Sequence, residues 1–213
     1  MCRGGSVFIF AGSGGAVQRV VTVLQRRSQI CGVHGSLPGC AELRMRLQMV
    51  MNQTASAPID PQVRIGHVHL KVADIDRALK FYRDVLGFEI TTRYGTQAVF
   101  LSAGGYHHHI ALNTWESAGG SPPPPNATGL YHLAILYPSR ALLADALRRV
   151  LGAGIQLDGA SDHGVSEALY LRDPDDNGVE LYWDRPREQW PRTAEGGIEM
   201  FTRRLDLEAL LKE

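Results

Sequence analysis

Beyond residue 40 the sequence has no cysteine: Cys2, Cys31 and Cys40 are all that the 213-residue chain contains. This excludes a disulfide framework or a thiolate zinc site in the main body, fits a reducing compartment, and leads us to expect a cytoplasmic protein. Long apolar runs are also lacking. None approaches the roughly 18 residues that a membrane span requires, so no membrane partner is expected. Net charge is zero, yet the first fifty residues are almost without acid, carrying six Arg against Glu42 alone. The remainder is therefore acidic by the same margin. With no basic stripe, nucleic acid is not expected as a partner.

That first segment also lacks apolar periodicity. We read residues 1–62 as an N-terminal extension, disordered or upstream of the true start; Met49 or Met51 would be that start, with a basic targeting segment as the other reading. The composition of the rest, 44% hydrophobic overall, suffices for a packed core.

An internal repeat organises this body. IGHVHLKVADIDRALKFYRDVLGFEI (65–90) aligns without a gap on LYHLAILYPSRALLADALRRVLGAGI (130–155), at an offset of 65 that places His67 on His132 and Gly87 on Gly152. Each copy reads as a strand, an amphipathic helix closing at a glycine, then three strands. FEITTRYG, AVFLSA and HHIALNT supply those strands in the first copy, and IQLDGA, EALYLRD and GVELYWD in the second. The expected fold is α+β, with two βαβββ modules forming a cup-shaped, half-open barrel. The domain spans 63–187: module one 63–116, a Pro/Gly-rich linker 117–129, and module two 130–187. A tail, 188–213, carries a short helix that would cap the domain or meet a second subunit of a homo-oligomer.

A lone histidine at a strand end is usually a satisfied structural residue. Two at equivalent repeat positions imply a paired role, so His67 and His132 are candidate ligands. His69 is assigned to the face opposite His67, structural or exposed. On GVELYWD, Glu180 shares a face with Tyr182, while Val179, Leu181 and Trp183 face helices. A carboxylate on such a strand is costly unless paired or bound to a cation, and His67, His132 and Glu180 together would make the facial triad of non-haem Fe(II). A solvent-exposed Glu180 is the alternative.

GHVHLKVADIDRALKFYRDVLGF, YHLAI and YLRDPDDNGVELYWD resemble the vicinal oxygen chelate superfamily, and DHGVSEALYLRDPDDNGVELYWD resembles its type I extradiol dioxygenases of the catechol 2,3-dioxygenase kind. The resemblance implies Fe(II), with Mn(II) as an alternative occupant, held by His67, His132 and Glu180. It implies catalytic roles for His163, Tyr170 and, within the run His107-His108-His109, His108 as a non-ligand; His109 is the second choice. Simple alternation puts His108 on the face of Ile110 and Leu112, so either a bulge intervenes or those chains line the pocket, with Trp115, Tyr170 and, unless it faces a helix, Trp183. The expected partners are a small aromatic diol and O2. Alternatives are a glyoxalase I-like isomerase or lyase and a nonenzymatic drug-binding resistance protein of the same fold.

Overall fold

The computed structural model describes residues 58–213, of which Arg64–Glu213 forms a compact unit. The N-terminal extension expected over residues 1–62 lies almost wholly outside the described residues. Module one runs β1 (Val68–Lys71), α1 (Ile75–Leu79), a π-helical turn (Lys80–Val85), β2 (Glu89–Tyr94), β3 (Ala98–Ser102) and β4 (Ile110–Asn113). Module two runs β5 (Leu133–Leu136), α2 (Arg140–Gly152), β6 (Gly159–Asp162), β7 (Ser166–Arg172) and β8 (Gly178–Asp184). The sheets have the orders β1-β4-β3-β2 and β5-β8-β7-β6, with the first strand of each parallel to the last. This is the paired α+β cup that the repeat implied.

The repeat is truest where the helices start. Asp74 and Ser139, 65 apart, each accept a hydrogen bond from a main-chain N–H three residues on, capping α1 and α2. The helix exits break the offset. Gly87 (φ +88°) ends the first helix, but Gly152 lies inside α2, and the left-handed exit there is Gly154 (φ +72°). The helical segment of module one widens into its π turn and stops early, while α2 stays α-helical. The strand expected over 155–160 is displaced for a related reason. The Ile155 N–H is spent on the Val150 carbonyl, so β6 begins only at Gly159.

Alternation along each strand sends one face to the helices. Leu70, Val99, Leu101, Ile110 and Leu112 join Leu143, Leu147, Val150, Leu169, Leu171, Val179 and Leu181 in one buried cluster. Ile110 and Leu112 are therefore core residues, 2% and 0% exposed, and do not line a pocket. Trp183 also packs on this cluster, as expected of its face. The modules are tied by the turn before β8: Asp173 accepts from the Tyr82 hydroxyl at 2.8 Å, and Asp175 accepts from the Ala73 N–H and pairs with Arg77.

The tail folds back on the domain. β9 (Arg203–Arg204), which the sequence did not suggest, pairs with the free edge of β6, and the expected short helix, α3 (Leu207–Leu211), buries Leu210 while Leu205 enters the core just before it. Beneath α3, Glu167 is buried between Arg140 (2.7 Å) and Arg185 (2.9 Å), and Arg140 also pairs with Glu213. Glu167→Ala should cost about 3 kcal/mol, because two half-buried guanidinium groups lose their shared carboxylate. Urea denaturation checks this; a loss under about 0.5 kcal/mol, the scale of an exposed pair, would contradict it.

Candidate metal and substrate site

His132 immediately precedes β5, whose parallel pairing with β8 sets Leu133 beside Val179 and Ala134 beside Glu180. The backbones approach so closely that a Cβ on Gly178 would lie 2.2 Å from the Tyr131 carbonyl and 3.0 Å from the His132 Cβ. That approach brings His132 Nε2 to 2.9 Å from Glu180 Oε2. Gly178→Ala must push β5 from β8 at this point. We expect a loss of about 2 kcal/mol, on the scale of an overpacked core, together with weakened metal binding. Calorimetry and metal titration of the variant check both; unchanged values would show that the approach is not required.

Antiparallel pairing of β7 with β8 sets Tyr170 directly opposite Glu180. The Tyr170 hydroxyl lies 3.2 Å from Glu180 Oε1 and 2.7 Å from His163 Nε2. Burial first, then the Glu180 carboxylate, push the Tyr170 phenol up to about 12, so it stays protonated at neutral pH. His163, His132 and Tyr170 line a cavity of about 420 Å³ with Tyr131, Ser161 and Thr202.

The other histidines gather at the head of the first sheet. His67 stands with its ring centroid 4.3 Å from that of His108, which also packs on Phe100 at 5.0 Å. His107 Nδ1 and His108 Nδ1 are 2.8 Å apart, within hydrogen-bond distance. His109 turns to the end of β3, where its Nδ1 meets Ser102 Oγ at 3.1 Å and the Ala103 N–H at 3.4 Å. Alternation mispredicted His108 because β4 starts only at Ile110 and the chain bends at His107 and His109. The chain bends there, and His108 is the member of the run whose ring lies nearest His67, with His107 at 6.4 Å. Burial first, then His67 and the neighbouring histidines, lower the His108 pKa, which favours its neutral form.

His69 requires a correction. Residues two apart on a strand share a face, so it cannot oppose His67 by alternation. Its ring instead meets Trp115 at 5.2 Å and Phe100 at 6.1 Å on the side away from the buried Leu70. Phe100, on the face of β3 opposite Val99 and Leu101, thus packs near His69 as Trp115 does, a contact that the sequence reading did not include.

Of the expected ligands, the structure joins His132 to Glu180 and places His67 with His108. Among the described residues no three His, Cys, Asp or Glu side chains converge as a metal-binding group. The joined pair fits a divalent ion. Donors bound at right angles with the usual lengths near 2.1 Å lie about 3 Å apart, close to the observed 2.9 Å. His132 Nδ1 is buried without a hydrogen-bond partner among the described residues, leaving the Nε2 edge as the side of the ring engaged with the carboxylate. The Phe201 carbonyl and Thr202, both within reach of His163, were missed by sequence reasoning; a main-chain acceptor leaves no motif.

Comparison with known proteins agrees with this architecture. The chain is 44% identical over 155 residues to a catechol-2,3-dioxygenase of Bacillus subtilis (strain 168), covering 73% of this chain and 53% of that protein. It is 34% identical over 122 residues to biphenyl-2,3-diol 1,2-dioxygenase 3 of Rhodococcus globerulus, covering 57% and 63% respectively. It thus spans between about half and two thirds of the length of these relatives. A solved lactoylglutathione lyase from Agrobacterium tumefaciens matches 58% of this chain and 96% of its own, at 26% identity and a TM-score of 0.46. No helix among the described residues is long and apolar enough to cross a membrane. The family model for the Glyoxalase/Bleomycin resistance protein/Dioxygenase superfamily matches residues 64–181, more than half of the chain, and the chain belongs to that superfamily.

Proposed function

We propose that this protein is an Fe(II)-dependent extradiol dioxygenase that opens the ring of catechol or a small alkyl catechol with O2, giving a 2-hydroxymuconic semialdehyde-type product. The observation that carries this reading is the His132–Glu180 pair at 2.9 Å, backed by Tyr170 and His163 on one cavity wall. The dioxygenase relatives support it. His67, His132 and Glu180 would hold the iron, with Mn(II) as a substitute, His67 joining the pair from the first sheet. Bound Fe(II) would supply chelation of two vicinal oxygens and a route for electron density from the ring to O2.

The chain's own residues handle orientation and protons. Glu180 supplies one negative charge, so two neutral imidazoles and one carboxylate favour a diol entering as a monoanion. His163 Nε2 takes the proton released by the diol, directly or through the Tyr170 hydroxyl. A neutral His108 donates a hydrogen bond to the oxygen on which negative charge develops. Phe100 and Trp115 offer flat apolar surface on the side of the first sheet that also carries His69.

A glyoxalase I-like lyase with Ni or Zn would add a fourth protein ligand, commonly Glu. Here the ring neighbours of His67 are His107 and His108. Under reducing conditions the Fe(II)-loaded protein should consume one O2 per catechol and form a yellow product, while hydroquinone, with its oxygens opposed, should be inert. Iron-replete protein inert toward catechols, yet active with Ni or Zn on the adduct of methylglyoxal and glutathione, would replace this reading by the lyase.

A further inference from the structure

The C-terminal segment returns to the candidate site and is pinned there on both sides. The Phe201 carbonyl lies 2.9 Å from His163 Nδ1, the Phe201 N–H donates to the His163 carbonyl at 3.3 Å, and Thr202 Oγ1 is 3.3 Å from the same Nδ1. Gly164, with φ +78°, leaves room for this approach: a Cβ there would fall 2.7 Å from the Phe201 ring and 3.0 Å from Pro191. Further along, β9 pairs Arg203 and Arg204 with Asp162 and Ser161, the Arg203 guanidinium stacks over the Phe201 ring at 4.1 Å, and Leu205 and Leu210 are buried.

A carbonyl oxygen can only accept, so the hydrogen on this contact belongs to His163 Nδ1. A neutral imidazole has one ring proton, and Nε2 is then a bare lone pair. That lone pair faces the Tyr170 hydroxyl at 2.7 Å. The phenol has one proton and two acceptors in reach, and the nearer one is His163 rather than Glu180 at 3.2 Å. A tyrosine proton given to His163 leaves both Glu180 oxygens free of a competing donor from that side.

We infer that residues 201–205 form a positioning strap, in which the Phe201 carbonyl sets the tautomer of His163 and thereby the direction of the Tyr170 hydroxyl. Thr202 is a supporting contact. The inference rests on the proposed proton-handling role of His163 and Tyr170, but its direct test does not require turnover.

The test is the nitrogen-15 spectrum of the histidine rings in the full-length, metal-free protein in alkaline buffer, for wild type, Phe201→Gly and Thr202→Val. Phe201→Gly removes the ring against Gly164 and Arg203 and loosens the main chain, while Leu205 and Leu210 stay in the core. Wild-type His163 should show a protonated Nδ1 and a bare Nε2. Phe201→Gly should show a mixture of tautomers, with kcat reduced about tenfold and KM nearly unchanged, a fraction of what a general base contributes. Thr202→Val, which keeps the carbonyl, should keep the wild-type tautomer. Protonated Nε2 in the wild type, or an unmixed Nδ1–H signal in Phe201→Gly, overturns the strap. A tautomer shift with unchanged kcat supports the strap and removes His163 from the proposed reaction.

Discussion

Glu180→Ala should yield a folded protein that retains no stoichiometric iron when purified without oxygen and has no catechol turnover above background. The carboxylate is largely buried on β8, where among the described residues His132 Nε2 lies 2.9 Å from one oxygen and the Tyr170 hydroxyl 3.2 Å from the other, so its removal empties little apolar volume. The consequence for a dication is far larger. Glu180 is the sole anionic donor of the proposed set, and without it Fe(II) would face two neutral rings in a partly desolvated cavity. Loss of a ligand should exceed the roughly 10–100-fold in metal affinity that attends loss of a supporting hydrogen-bond partner. His132→Ala and His67→Ala should behave alike. Full iron occupancy in any of the three, by metal analysis, removes that residue from the ligand set.

The second large effect is expected at His108 and is of the opposite kind. His108→Ala should bind iron normally and lose kcat by about 10²–10³, the cost of deleting one hydrogen-bond donor aimed at developing charge. The ring sits between His67 and Phe100, close enough to the proposed ligand to meet a reacting oxygen. Burial, first, and the adjacent histidines lower its pKa. His109→Ala is the control, since its Nδ1 is engaged at the end of β3; stability should fall while kcat holds. If His108→Ala loses the metal as well, the run is a ligand and a four-ligand lyase site gains.

How much of this was legible depended on where periodicity governs the backbone. GVELYWD alternates cleanly, so its face assignments and its span as β8 agree with the structure residue for residue. The 65-residue offset, read from the gapless alignment of the two copies, holds at the helix caps Asp74 and Ser139, but the π turn of module one has no sequence period and the exit glycine of module two is 154 rather than 152. His108 escaped alternation because the chain there is not yet a strand. Ile110 and Leu112 were assigned to a pocket by extending alternation through that bend. The strap escaped because its acceptor is a carbonyl and its strand only two residues long, too short to carry a pattern. The joining of His132 to Glu180 depends on parallel pairing between strands 45 residues apart, which the repeat suggested through the kinship of His67 and His132 but could not measure.

In the proposed site His67, His132 and Glu180 bind one Fe(II) and leave room for a diol. The most direct measurement is a crystal structure of the protein loaded anaerobically with Fe(II), with anomalous differences collected at the iron edge. One strong peak per chain is expected at about 2.0–2.2 Å from a His67 ring nitrogen, His132 Nε2 and a Glu180 oxygen, with no fourth protein ligand. A peak seated on His107 and His108 instead, or one bound by His132 and Glu180 with His67 still beside His108, would contradict it.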